Sequence, residues 1–154
     1  MMKDTSSTKG KVVSVNVSER RGVRKTPVDS IEIRTGFGVA GDAHAGRDPV
    51  REISLLAMES IEKMKEAGLD VAPGDFGENI TVSGIELYTL PVGTILKLGE
   101  VRMELTQIGK VCVKRCAIYY QAGDCVMPRE GIFAKSLNQG RISPGDPFEI
   151  EKKK

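Results

Sequence analysis

Apolar and polar residues alternate in short runs along most of this chain. Lys11–Val17 (KVVSVNV) has a period of two, the spacing that turns one face of a β-strand to a core. Ile31–Arg34 is a shorter run of the same kind, and Glu52–Leu56 and Asn79–Val82 read as further strands. Thr94–Leu98 and Val101–Thr106 flank Gly99-Glu100, a two-residue connection with glycine first, which predicts a type II′ hairpin. Pro147–Glu151 follows the turn Pro144-Gly145-Asp146 and reads as a last strand. Gly131–Leu137 fits either strand or helix, and the glycine-dense Gly36–Gly46 reads as a loop. Only Ala57–Ala67 has helical period: Met58, Ile61 and Met64 share a face, charged residues lie between them, and Gly68 supplies the stop. That stripe is read as a buried face rather than a metal-binding methionine array. Many short strands, one helix with short additional helical segments and no alternating β/α pattern predict a mainly β, barrel-like fold over a doubly wound sheet.

Composition narrows the class. At 154 residues, with 40% hydrophobic and 29% charged residues, the chain is expected to be one globular domain over residues 10–151 behind a flexible tail, 1–9. No apolar run approaches the roughly 20 residues of a membrane helix, and the polar N-terminus lacks the apolar stretch of a secretory signal. Three cysteines, an odd number, argue against a disulfide scaffold and for a cytoplasmic protein. A net charge of +2, no tryptophan and 5% aromatics argue against nucleic-acid binding.

The chemistry concentrates in Gly109–Arg129, which holds Cys112, Cys116 and Cys125 beside Lys110, Lys114, Arg115 and Arg129. Cations favour the thiolate, the reactive form of cysteine. Cys112 follows the second strand of the predicted hairpin, where a rigid scaffold displays reactive groups. Its thiolate would suit a soft-ligand metal such as molybdenum, or carry sulfur as a persulfide. A buried structural cysteine is the plainer account, and the flanking cations tilt the reading toward function. Cys116 and Cys125 read as structural. Arg129, constrained by Pro128, fits an anion clamp. A Cys₃His zinc set of Cys112, Cys116, Cys125 and His44 has irregular spacing. His44 sits in the glycine-rich loop with Asp42 placed to orient its ring, against the plainer account of a loop histidine. Glu78-Asn79 reads as a turn or as a polar contact to a ligand. The basic run Arg20, Arg21, Arg24, Lys25 reads as a solvated face.

Four pieces in order carry a family resemblance: Gly41-Asp42-Ala43-His44, Pro73–Asn79 (PGDFGEN), Gly109-Lys110-Val111-Cys112 and Met127–Ala134 (MPREGIFA). Gly140–Asp146 (GRISPGD) fits the end of the pattern. Together the chain resembles the molybdenum-cofactor sulfurase C-terminal (MOSC) domain, in its short free-standing bacterial form. The resemblance implies a mostly β, barrel-like fold and a family cysteine at Cys112. It implies molybdenum-cofactor (molybdopterin) binding, or sulfur transfer to a metal centre, with Cys112 as molybdenum ligand or persulfide carrier. In that reading Lys110, Lys114 and Arg129 lower the thiol pKa and hold phosphate or oxo groups. His44 and Asp42 line the pocket, and Glu78 and Asn79 contact the cofactor. Larger members adjoin a pyridoxal-phosphate cysteine desulfurase domain. This chain carries none, and no lysine stands in a defensible Schiff-base context, so a sulfur-donor protein and an acceptor enzyme are the expected partners. Sulfur transferase activity, a non-catalytic cofactor-binding or chaperone module, and a structural zinc domain stay open.

Overall fold

The computed structural model describes residues 9–18, 25–42, 45–46, 52–109 and 130–152. Its elements are β1 (Lys9–Val17), β2 (Thr26–Val28), β3 (Ile31–Arg34), β4 (Gly38–Val39), β5 (Ile53–Ala57), α1 (Met58–Glu66) and β6 (Ile80–Ser83). A short 3₁₀ turn (Leu87–Thr89), β7 (Ile95–Leu98), β8 (Val101–Ile108), β9 (Ile132–Ser136), β10 (Gly140–Ile142) and β11 (Pro147–Lys152) follow. Strands β11-β7-β8-β9-β5-β6-β1 pair in that order, and β1 closes the ring on β11. The result is a seven-stranded closed barrel, in keeping with the mainly β, barrel-like fold the alternation predicts, with β2 hung on β1. A second sheet, β10-β3-β4, adds Ile31, Ile33, Val39 and Ile142 to the same core.

Alternation fixes which side chains fill the barrel. Leu96 and Leu98 of β7 meet Val101, Met103 and Leu105 of β8 inside it, and all five are fully buried. Gly99 has a φ of 60°, and no described residue other than glycine has positive φ, so Gly99-Glu100 forms the predicted type II′ turn. In β1 a bulge between Val12 and Ser14 changes the register against β6. Val12 and Val15 stay in the core, while Ser14 and Asn16 face outward.

β5 and β6 are the parallel pair, and α1 crosses between them. The helix lies one residue inside its predicted limits at each end. Glu59 in its first turn and Lys63 and Lys65 in its last suit the helix dipole. The Leu69 amide donates to the Met64 carbonyl and the Gly68 amide to the Lys65 carbonyl, the double bond of a Schellman cap. Ile61 and Met64 pack against Leu56, Leu69, Val71, Phe76 and Phe133 on the outer barrel wall, each contributing roughly 1.5–3 kcal/mol on burial. Hence β5 is buried on both faces: Ile53, Leu55 and Ala57 inside, Leu56 under the helix.

Several expectations are corrected. Gly36–Gly46 is not loop throughout, because Gly38-Val39 pairs with β3. β2 and β10 were absent from the alternation. Gly131–Leu137 resolves to strand β9. β1 begins at Lys9, inside the expected tail. The β/α alternation judged absent occurs once, at β5-α1-β6.

Candidate functional site

The glycine-rich loop after β4 is tied to Lys25, just before β2, by a buried ion pair. Lys25 Nζ lies 2.7 Å from Asp42 Oδ1, and both side chains are 1% exposed. The same oxygen accepts the Ser18 amide at 3.0 Å, and Lys25 also donates to the Ser18 hydroxyl at 3.1 Å. Lys25 therefore does not belong to a solvated basic face; it is sealed by Asp42 and by the turn beyond it. Its run of arginines concealed this, since nothing in the sequence separates the one paired lysine from its neighbours. The Asp42 carbonyl accepts the Ala45 amide at 3.2 Å and the Phe37 carbonyl accepts the Gly46 amide at 2.8 Å, which fixes the backbone on both sides of residues 43–44.

Glu78 and Asn79 sit on the outer face of the barrel under the Pro73–Gly77 turn. The Glu78 side chain is fully buried. Its Oε2 accepts the Gly74 amide at 3.1 Å and the Thr81 hydroxyl at 2.8 Å, while Oε1 has no hydrogen-bond partner among the described residues. Loss of water pushes the carboxyl above the ordinary carboxylate range, against the pull of Gly74, Thr81 and, more weakly, the amides of Glu78 and Phe76. Asn79 Oδ1 accepts the Ser54 amide and hydroxyl at 3.0 and 3.2 Å, and its Nδ2 reaches the Asn16 carbonyl at 3.5 Å. Asn16 in turn donates to the Glu78 carbonyl and to Thr81. Residues from β1, β5 and β6 thus form one polar band on the barrel wall.

The band and the ion pair meet at Gly74. The Lys25 amide donates to the Gly74 carbonyl at 2.8 Å. A Cβ at Gly74 would stand 2.3 Å from the Lys25 carbonyl oxygen, and φ there is +92°. Only glycine allows this approach.

The cysteine-bearing segment leaves from another place. Residues 110–129 join β8 to β9, and the Gly109 amide donates to the Gly131 carbonyl at 2.6 Å across their base. Gln107 donates to the Gly109 carbonyl at 2.8 Å. Glu130 accepts the Ser60 hydroxyl at 2.6 Å and pairs with Lys63 at 3.0 Å, so the start of β9 is anchored to α1. The Glu130 carboxylate is the main cause that raises the Lys63 pKa. By strand polarity β8 runs with β5 and β6 and against β1, so the exits at Gly109 and Ser18 lie at opposite barrel ends. With both ends held together at that base, the twenty residues extend no more than about 33 Å from it, close to the roughly 30 Å of β1.

Of the residues singled out by sequence, Asp42, Glu78 and Asn79 are therefore placed, and the structure joins them through Lys25 and Gly74. Cys112, His44, Lys110, Lys114 and Arg129 lie outside the described residues, as do Cys116, Cys125 and hence the whole Cys₃His set. Among the described residues no group of three His, Cys, Asp or Glu side chains is arranged to hold a metal ion, and no helix is long and apolar enough to cross a membrane. Sequence reasoning missed Lys25, Ser18, Asn16 and Ser54. The one available signal was the polar half of KVVSVNV, which reads equally well as a solvated strand face. An open cleft of about 660 Å³ between Glu32, Arg34, Glu100 and Arg141 includes none of the singled-out residues.

Comparison with known proteins agrees with this architecture. A family model described as the MOSC domain matches residues 40–149. An uncharacterized protein of Bacillus subtilis (strain 168), YflK, is 30% identical over 80 residues, 49% of this chain and 36% of that protein. The match thus spans about a third of that relative's length. The crystal structure of the YuaD protein from Bacillus subtilis superposes with a TM-score of 0.78 at 18% identity, covering 95% of this chain and 97% of that one. YiiM from Geobacillus stearothermophilus gives 0.67 at 21% identity (92% and 74% covered), and YiiM from Escherichia coli gives 0.63 at 24% (94% and 70%). At these identities the structures show a shared fold.

Proposed function

Because the chain belongs to the MOSC domain family, which is associated with molybdenum-cofactor binding and sulfur-related functions, we propose that it handles molybdenum cofactor or sulfur through Cys112. The observation that carries this reading is the family match over residues 40–149, which takes in every one of the ordered motif pieces, the cysteine-bearing one included. The sulfur-rich, cationic stretch lies between two barrel strands whose ends are bound to each other and to α1.

The described residues divide the labour. Asp42 and Asn79 make their hydrogen bonds within the protein, and Glu78 is sealed. They fit a supporting role, holding loops in place, better than direct contact with a cofactor. The contacts to a bound molybdopterin would then fall to Cys112, Lys110, Lys114, Arg129 and His44. Bound there, the cofactor would supply a molybdenum centre for a soft thiolate. For sulfur carriage, the Cys112 thiolate attacks the outer sulfur of a donor persulfide. One S–S bond forms, one breaks, and the donor cysteine leaves as thiolate. A cysteine desulfurase would be the donor and a metal-centre enzyme the acceptor, in the cytoplasm.

The test is intact-protein mass spectrometry after incubation with a persulfide-loaded cysteine desulfurase. The proposal predicts a gain of one sulfur atom that Cys112→Ser abolishes and Cys125→Ser retains. No gain in the wild type, together with normal molybdopterin retention by Cys112→Ser, would overturn it in favour of a docking module without chemistry.

A further inference from the structure

We propose that the open cleft between β3, β10 and the β7–β8 turn binds a short zwitterionic peptide, its carboxylate on Arg34 and Arg141 and its ammonium on Glu100. No residue assigned to the molybdenum or sulfur reading lines this cleft, so the site is additional to that reading and does not rest on it.

Strand register sets the basic wall. Arg141 stands opposite Glu32 across the β10–β3 pair, and Arg34 is two residues on from Glu32, so all three share one face. Glu32 accepts Arg34 Nε at 3.2 Å, and both side chains of this pair are more than half exposed. Such a pair holds its geometry weakly. Arg141 enters no ion pair among the described residues. One carboxylate thus serves two guanidiniums, which leaves one positive charge on this face. Each guanidinium can offer a carboxylate two parallel N–H donors.

The facing wall is acidic. Gly140 has no positive φ, yet a Cβ on it would stand 2.8 Å from Glu100 Cγ and 3.1 Å from its Cδ. The bare position makes room for the Glu100 stem, which lies against β10 one residue from Arg141. The Asp146 carboxylate lies against Gly99 and adds negative charge beside Glu100. Asn138 fixes the turn, donating to the Glu100 carbonyl at 3.1 Å and accepting the Arg102 amide at 2.8 Å. The cleft is therefore formed before any ligand arrives.

Charge and size choose the ligand. Glu32, Arg34, Glu100 and Arg141 sum to zero, so a simple anion gains at the arginines and is repelled by Glu100. A ligand charged at both ends satisfies both walls. A volume of about 660 Å³ lies in the range of small-molecule sites and holds a few residues rather than an inorganic ion.

The probes are trialanine, N-acetyl-trialanine, which keeps only the carboxylate, and trialanine amide, which keeps only the ammonium. Binding is followed by NMR at the Glu32, Glu100 and Arg141 amides. Trialanine should shift these signals saturably. Each capped form should bind roughly 1.5- to 5-fold more weakly, the loss of one exposed charge pair. Arg141→Gln should weaken trialanine and its acetylated form and spare the amide. Glu100→Gln should weaken trialanine and the amide and tighten the acetylated form. Both positions are exposed, so the variants should fold; if one does not, the wild-type series decides alone. Acetylated peptide binding as tightly as trialanine would mean a site for anions or protein C-termini and overturns the proposal. Equal binding of the amide, or no saturable shift at these residues, overturns it too. No measurement here needs Cys112, molybdenum or a sulfur donor, so the proposed function can fail separately.

Discussion

Gly74→Ala tests the junction between the two motif loops. Two costs follow from the local geometry. The first is backbone strain, since φ is +92° and a side chain there costs about 1–2 kcal/mol. The second is contact: the new methyl would stand 2.3 Å from the Lys25 carbonyl oxygen and 3.0 Å from its carbon. Backbone atoms cannot rotate away. Relief requires displacing Lys25, which weakens its amide bond to Gly74, worth about 1 kcal/mol, and adds overpacking of about 1–3 kcal/mol. The expected total is about 3–6 kcal/mol. Gly77→Ala is the internal control, for its φ is +83° and no atom of the described residues beyond its chain neighbours lies within 4 Å of a Cβ there. It should cost only the strain, about 1–2 kcal/mol. Urea unfolding of both variants, with unchanged m-values, measures the difference directly. At about 2–4 °C per kcal/mol, Gly74→Ala should melt roughly 6–24 °C below wild type. Equal losses at the two positions would refute the claim that the turn presses on Lys25.

Other outcomes follow from the same structure. Burial raises the Glu78 pKa above its unfolded value, so the folded state binds the extra proton; wild-type stability falls as pH rises from about 4.5 through the folded pKa. Glu78→Gln removes that slope, and its stability relative to wild type should grow with pH; parallel curves in urea titrations across pH 4–8 would contradict this. Leu56→Ala empties a fully buried site between β5 and α1 and should cost about 2–5 kcal/mol in chemical denaturation. Glu130→Ala removes the partner of Ser60 and Lys63 and should speed amide exchange at Gly109, whose bond to Gly131 closes the base of the cysteine segment. Exchange in the β7–β11 ladder should stay as in wild type.

Where one strand face is buried and the other wet, the alternation was legible. β3 matches its predicted run at both ends, as does the Gly99-Glu100 turn. Strand β9 was ambiguous for a physical reason: Ile132 and Ala134 fill the barrel while Phe133 packs under α1, so no polar residue marks the period across Ile132–Ala134, and the adjacent Lys135-Ser136 pair breaks strict alternation. β2, β4 and β10 are two or three residues long and owe their conformation to a partner strand rather than to their own pattern. The polar residues Ser14 and Asn16 are buried: the Pro73–Gly77 turn comes up against Asn16, and the Ser14 hydroxyl donates to the Asn16 side chain. At the site, the order of the motif pieces was legible, and the family match bears it out. The link between two of them was not, since it runs through Lys25, far from both along the chain.

The account turns most on Cys112. Wild type and Cys112→Ser, purified side by side from molybdenum-replete cells, should be analysed for molybdenum, pterin and persulfide sulfur. The account predicts that wild type carries bound molybdopterin or one persulfide sulfur, and that the variant carries neither while retaining the wild-type unfolding midpoint. Equal loading of the two proteins would contradict it.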